Sequence, residues 1–465
     1  MRHLRSMSLG LAMALTSACA VGPNYRRPDV EPVSAYKEMD DWKPSSPADA
    51  IERGAWWKIF ADDDLDELER QVDISNQNIK AAVAAYDQAR AVIAQSQAGF
   101  WPTITATGAR QRSNQVPGGS TAKITDSAGV AASWDIDVWG QLRRTLESSR
   151  SSAQASAAAL ASARLSAQAT LAADYFQLRA QDQLQRLLDD TVTAQQLSLQ
   201  ITKSRYNYGV AAKADVLSAE TQLLSSQALQ LNAKIQRAML EHAIAVLVGR
   251  QPGNFSVPPA GMRSDVPTVP AGVPSTLLER RPDIAEAERK VAAANAQIGV
   301  AMTAFFPSLT LTGSDAYTGS SISHLITAPN RVWSFGPQLA LSVFDGGLRR
   351  AQVAQARAGY EISVDNYRQT VVAAFQQVED QIATLRILQD QASVEEAAVK
   401  AAREAESLTL NQYKAGTVPY SSVIAAQTAR FSSEQTALTV LLNRLQASVT
   451  LINALGGGWT SSDLP

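Results

Sequence analysis

A long internal repeat constrains this 465-residue chain more than any other feature. Residues from about 78 to 250 lie over those from about 283 to 457, at an offset of roughly 206. Phe100-Trp101-Pro102-Thr103 meets Phe305-Phe306-Pro307-Ser308, and Gly140-Gln141-Leu142-Arg143-Arg144 meets Gly346-Gly347-Leu348-Arg349-Arg350. Tyr206-Asn207-Tyr208-Gly209 meets Tyr413-Lys414-Ala415-Gly416, and Leu247-Val248-Gly249 meets Ala454-Leu455-Gly456. A repeat of that length is a whole structural unit rather than a solenoid module. Each copy reads helix, strand pair, very long helix, glycine turn, helix.

The helices follow from apolar spacing and from where Gly and Pro are missing. Leu65, Leu68, Val72, Ile79, Val83 and Tyr86 keep a helical stripe. Asp62, Asp63 and Asp64 stand before it as capping and dipole-complementing charge, a better account of the acidic run than catalysis. The stripe ends at Gly99-Phe100-Trp101-Pro102, because proline cannot continue a helix. From about 141 to 205 there is neither Pro nor Gly, and from about 348 to 414 only Gly359 intervenes. About 65 residues at 1.5 Å each give a helix of about 100 Å, the scale of a periplasm rather than of a globule. Each long helix reaches a glycine turn (Gly209, Gly416) and a shorter helix returns. The segments 65–99 and 283–304 are expected to stack on the return helices and complete the climb.

Between helices the period changes to two. Val130, Ala132, Trp134, Ile136 and Val138 fall on one face, with Ala131, Ser133, Asp135 and Asp137 on the other. The second copy opposes Trp333, Phe335, Leu339, Leu341 and Val343 to Ser334, Gln338 and Ser342. Two strands of about ten residues per copy, with alternating faces and aromatic ends, suit a transmembrane β-barrel. A soluble two-sheet sandwich is the alternative.

The start of the chain favours the membrane setting. Arg2, His3 and Arg5 precede a short apolar run, Leu9–Leu15, then small residues and Cys19, as in a bacterial export signal. Cys19 is the one cysteine, so no internal disulfide forms, and it sits where a lipoprotein signal would be cut and lipidated. The expected organisation is 1–18 signal peptide and 19–64 lipidated tether. The first repeat spans 65–250, with strands about 101–112 and 128–139 and a long helix about 141–205. A Pro-rich equatorial linker, 251–282, separates it from the second repeat, 283–457, with strands about 306–318 and 332–344 and a long helix about 348–414. Residues 458–465 are a tail.

Four strands cannot close a barrel, and open edges in lipid cost several kcal/mol per unpaired group, so strands in the membrane require further copies of the chain. Two copies would give eight strands with a filled interior; three give twelve and room for a channel. Aromatics at 6% and charged residues at 18%, with abundant Ala, Gln and Ser, suit close-packed long helices forming a tube wall or, alternatively, a solid bundle. A net charge of −2 leaves no basic footprint for nucleic acid.

The ordered set of motifs resembles the outer membrane factors, the TolC-like proteins, and within them the NodT/OprM-type efflux lipoproteins. Those motifs are Cys19-Ala20-Val21-Gly22-Pro23-Asn24-Tyr25, Trp56-Trp57, and Leu278-Glu279-Arg280-Arg281-Pro282-Asp283-Ile284 with Asn295 and Gly299. Phe344-Asp345-Gly346-Gly347 and the Tyr413–Gly416 hairpin complete them. The resemblance covers nearly the whole chain. It implies a mainly α fold with a transmembrane β part: a homotrimer with a 12-stranded barrel continuous with a 12-helix periplasmic α-barrel. It implies a periplasmic adaptor and an inner-membrane RND-type pump as partners, outer-membrane lipid around the barrel, and passive export of small molecules. Protein secretion of the type I kind and a non-pore structural lipoprotein are the alternatives.

No metal-ligand spacing, phosphate-binding glycine loop or catalytic constellation is legible, so neither enzyme chemistry nor a cofactor beyond a lipid on Cys19 is expected. The candidate gate at the helical tips comprises Tyr206, Gly209, Asp215, Tyr413 and Gly416, with Lys203, Arg205, Lys414 and Tyr420 nearby. The candidate barrel lining comprises Ser133, Asp135, Asp137, Ser334 and Gln338.

Overall fold

The computed structural model describes residues 20–30, 37, 55–113, 122–269 and 280–459. Cys19 and the signal segment 1–18 lie outside the described residues, as does the tail beyond 459. The chain divides into two compact units, one of residues 1–30, 84–157 and 286–369, the other of residues 31–83, 158–285 and 370–465.

The first unit contains the sheet. Strands β1 (Thr103–Ser113), β2 (Lys123–Asp135), β3 (Ser308–Gly319) and β4 (Arg331–Ala340) pair antiparallel in chain order, so β1 and β4 are its edges. β2 stops at Asp135, short of the expected 139, and β4 stops at Ala340, short of 344. The reason is the turn into each long helix. The Asp137 carboxylate accepts from the backbone N–H of Leu142 and Arg143, both at 3.0 Å, and Asp345 takes the equivalent part with Gly347 and Arg349. A residue that caps a helix cannot also sit in a ladder.

Residues 20–30 run extended within this unit, held by specific bonds. The Val21 N–H donates to the Trp139 carbonyl at 3.0 Å, Arg144 donates to Val21, Gly22 and Asn24, and Asn295 donates to the Pro23 carbonyl. A Cβ on Gly22 would fall 2.5 Å from the Gly299 Cα, so glycine at Gly22 lets two backbones touch. The amino-terminal motif and the Asn295–Gly299 motif are therefore halves of one contact.

The second unit carries the aromatic core. Helix α1 (Asp63–Ser75) begins at Asp62, whose carboxylate accepts from Asp64 and Leu65 N–H and from the Tyr175 hydroxyl. Trp56, Trp57 and Phe60, on a short 3-10 helix before it, pack with Leu65, Val72, Tyr175, Phe176, Ile244, Val378 and Leu451. Residues 56–60 thus belong to the core and not to a tether, because fully burying one such side chain stabilises by about 1.5–3 kcal/mol. The single helix expected over 65–99 is two. Asn76 breaks it at ψ 125° and caps α2 (Gln77–Ala98), while its amide donates to the Leu247 carbonyl at 2.8 Å.

The long helices are α3 (Gln141–Asn207, 67 residues) and α6 (Leu348–Ala415, 68 residues); Gly359 does not interrupt the latter. Return helices α4 (Lys213–Leu247) and α7 (Tyr420–Ala454) follow, and α5 (Pro282–Thr303) opens the second repeat. Within the second unit the expected meeting of helix ends is present. Gly249 abuts the backbone of Ser75, and Gly456 abuts that of Arg280, whose neighbour Arg281 donates to the Ala454 carbonyl at 3.0 Å. The described part of the Pro-rich linker is tied down by arginines: Arg179 donates to the Pro258 carbonyl and Arg237 to that of Val257.

Candidate functional site: the hairpin tip and the sheet faces

At the tip the two hairpins meet unequally. Helix α3 ends at Asn207 and turns at Gly209 (φ 73°); α6 ends at Ala415 and turns at Gly416 (φ 80°), both in the left-handed region that favours glycine. Tyr413 is buried (3% exposed), tilted against Tyr420 at 5.2 Å, and packs with Ala219 and Val423. Its hydroxyl lies 3.4 Å from the Thr202 Oγ1 on α3. The Arg205 guanidinium sits 4.8 Å above the Tyr413 ring and donates to the Lys414 carbonyl at 3.1 Å. One arginine from the first hairpin therefore grips both the ring and the backbone end of the second.

The expected gate residues divide accordingly. Tyr413 lies in the contact between the hairpins and Gly209 and Gly416 form the turns, whereas Tyr206 is 43% exposed and its carbonyl accepts the Gly209 N–H. Asp215 accepts from the Ala212 N–H at 3.3 Å, steadying the start of α4. Burial, with help from Tyr413 and Asp215, pushes the Tyr420 hydroxyl up to about 12. Arg205 and Tyr420, legible at the tip only as neighbours, are central, and Thr202 carried no signal because a mid-helix threonine resembles many others.

The sheet has two chemically distinct faces. Residues directly opposite share a face, so the registers Ala132↔Gly313, Trp134↔Leu311, Gly313↔Phe335 and Leu309↔Leu339 assemble an apolar surface. Ile104, Val130, Trp333, Phe335 and Leu339 stand exposed on it. The other face follows from Thr103↔Ser133, Ser133↔Thr312, Asp135↔Thr310, Thr310↔Gln338 and Ser314↔Ser334. It is Thr and Ser rich: Thr310 donates to Asp135 at 2.7 Å, and the Ser314 and Ser334 hydroxyls lie 2.8 Å apart. Ser133, Asp135, Ser334 and Gln338 thus share one face. Asp137 does not join them, because it lies beyond β2 and caps α3.

Two ion pairs interrupt the apolar face near the β-hairpin loops, features the period-two reading missed. Arg110 and Asp126 approach to 3.3 Å, and Arg331 holds Asp315 with 2.9 and 2.7 Å bonds. At the opposite strand ends the aromatics are anchored: Trp134 donates to the Phe100 carbonyl at 2.9 Å, and Trp139 stacks on Phe306 at 4.7 Å. Among the described residues no helix is long and apolar enough to cross a membrane, and no His, Cys and carboxylate group is placed to hold a metal.

Comparison with known proteins bears on this geometry. The model of the outer membrane efflux protein family matches residues 69–250 and 273–457, one stretch for each repeat. The chain is 29% identical over 464 residues to the probable efflux pump outer membrane protein TtgC of Pseudomonas putida, covering 97% of this chain and 95% of that one. It is 29% identical over 453 residues to the cation efflux system protein CusC of Escherichia coli, covering 97% of each. Among solved structures, the outer-membrane channel OprN superposes with a TM-score of 0.86 at 28% identity, over 95% of this chain and all of that one.

Proposed function

This chain belongs to the outer membrane efflux protein family, and from that premise we propose that it is the exit duct of a tripartite export machine, shut at rest by the contact of Arg205 with Tyr413. The observation that carries the reading is the two-faced sheet with both edges open. In lipid the apolar face can meet acyl chains, the Thr/Ser face can line water, and the edges must pair with other copies. Three copies give twelve strands and a lumen, with Ser133, Asp135, Ser334 and Gln338 facing it. A lipid on Cys19 anchors the mature amino terminus and is the sole attached group.

The duct supplies passage and no energy, so it works with a periplasmic adaptor and an inner-membrane pump. TtgC is named for an efflux pump and CusC for cation efflux. For this chain small toxic molecules are the proposed cargo. Opening requires the Arg205–Tyr413 grip to release, because it joins the first hairpin to the second where the two turns meet.

Purified protein in a planar bilayer tests the reading. Wild type is expected to show small unitary currents, and Arg205→Ala or Tyr413→Ala markedly larger ones with the oligomer intact. Intact oligomers that pass no current in any form would sink the channel reading. Unchanged conductance in both variants would place the constriction elsewhere.

A further inference from the structure

All four junctions between sheet and helices lie at one end of the strands, and both hairpin loops lie at the other. Helices α2 and α5 lead into Thr103 and Ser308, while Asp135 and Ala340 lead out toward α3 and α6. Three arginines belong to the strands: Arg110, Arg112 and Arg331. The registers Arg110↔Asp126, Arg112↔Ile124 and Tyr317↔Arg331 place all three on the apolar face, at the loop end. The Thr/Ser face, where a guanidinium would stay in water, has no arginine on its strands. On a lipid-facing strand surface charge is costly in the apolar band and cheap only at headgroup level. These arginines therefore mark a headgroup level.

Their partners leave donors free. Asp126 is 2% exposed and lies 3.3 Å from the Arg110 Nε, while the Arg110 side chain above it is 62% exposed. Asp315 takes two of the five N–H groups of Arg331. Among the described residues no carboxylate pairs with Arg112. Three arginines against two aspartates leave a net charge of +1 on this patch. Trp333, next to Arg331 on the same strand face, is 70% exposed, as an aromatic at a membrane boundary is.

From this placement we propose that the loop end of the apolar face binds the phosphate groups of an outer-leaflet glycolipid, whose acyl chains lie on Ile104, Val130 and Phe335. The inference rests on the outer-membrane duct reading above: with the helices in the periplasm, the loop end reaches the outer leaflet, which is built of phosphorylated glycolipid. Guanidinium forks match phosphate oxygens in pairs, so the recognition is chemical as well as electrostatic. The spacing favours a headgroup with two phosphates. Arg110 and Arg112 stand on edge strand β1 and Arg331 on edge strand β4, three strand spacings or about 14 Å apart across the sheet. A disaccharide phosphorylated at both ends can bridge that span, and a headgroup with a single phosphate cannot.

Thermophoresis of the full-length protein in detergent, titrated with bisphosphorylated lipid A, tests this. Binding is expected, about tenfold weaker when Arg112→Gln is combined with Arg331→Gln and Asp315→Asn, a set that leaves no carboxylate unpaired. Lys123→Gln, at the same end on the opposite face, should bind within about twofold of wild type. Dephosphorylated lipid A, phosphatidylglycerol and millimolar inorganic phosphate should each fail to compete. Competition by any of the three overturns the glycolipid site, as does an equal loss in Lys123→Gln or no loss in the triple variant. If the triple variant fails to fold, the wild-type comparison of phosphorylated with dephosphorylated lipid decides alone. Unitary currents in a planar bilayer separate the two readings: a chain that conducts without preferring phosphorylated lipid keeps the duct and loses the lipid site. One that assembles and never conducts loses both.

Discussion

Tyr206 and Tyr413 occupy equivalent places in the two copies of the repeat, yet one is half in solvent and the other is 3% exposed. The sheet is more even: its apolar face takes Ile104, Val130 and Trp134 from the first copy and Trp333, Phe335 and Leu339 from the second. Duplication produced two hairpins with one covalent pattern. Packing then gave them different work at the tip: the second hairpin carries the buried ring, and the first supplies Arg205 above it and Ala219 packed against it. A repeat in sequence fixes equivalent backbones, and side-chain roles diverge wherever one copy can bury against the other.

The largest expected effect separates the two tyrosines. Tyr413→Ala should destabilise the tip by about 3–5 kcal/mol, since it empties a packed aromatic site, whereas Tyr206→Ala should stay within about 0.5 kcal/mol. Hydrogen exchange of the residues around Gly416 reads the difference, and equal effects would break the comparison.

Next comes the sheet. Leu339→Arg is expected to cost about 2–4 kcal/mol of insertion if its face meets lipid near the bilayer midplane, with Gln338→Arg far milder. Urea titration of protein folded into vesicles measures both, and equal tolerance would return the sheet to a soluble role.

Glu69, on α1, gives a smaller effect with a pH signature. It is fully buried, neither carboxylate oxygen has a hydrogen-bond partner, and burial, reinforced by Asp73, holds its carboxyl well above the ordinary value of 4.5. A raised folded-state value means the folded form keeps its proton while the unfolded chain loses it. The contribution to stability is therefore full below pH 4.5 and is lost as pH rises toward the folded value. Glu69→Gln should accordingly gain about 1–3 kcal/mol at neutral pH, with the gain shrinking toward pH 4. A gain independent of pH in thermal melts would remove Glu69 as its source.

The smallest effect is at Asp215. Asp215→Asn should weaken the start of α4 by about 0.5–1 kcal/mol, and it should lower the titration of Tyr420, because the carboxylate is one of the causes raising it. Ultraviolet titration of the tyrosines follows this, and an unmoved transition would detach Asp215 from the tip.

Much of this architecture was legible in the residues. A chain without Pro or Gly from 141 to 205 forms one helix, because nothing interrupts its backbone bonding, and Gly209 and Gly416 mark the turns, because a left-handed backbone is cheap only there. Period-two alternation placed Ser133, Asp135, Ser334 and Gln338 on one face, since strand geometry alone sends alternate residues to opposite sides. The break at Asn76 was hidden, because the apolar stripe continues through it and its capping amide is meaningful only beside Leu247. Asp137 read as one more strand residue until the turn placed it under the amides of α3. At the tip, local sequence marked Tyr413 and Arg205 as neighbours of the turns. Which tyrosine is buried and which arginine grips it were decided by contacts between residues some two hundred positions apart, and local pattern carries no record of these.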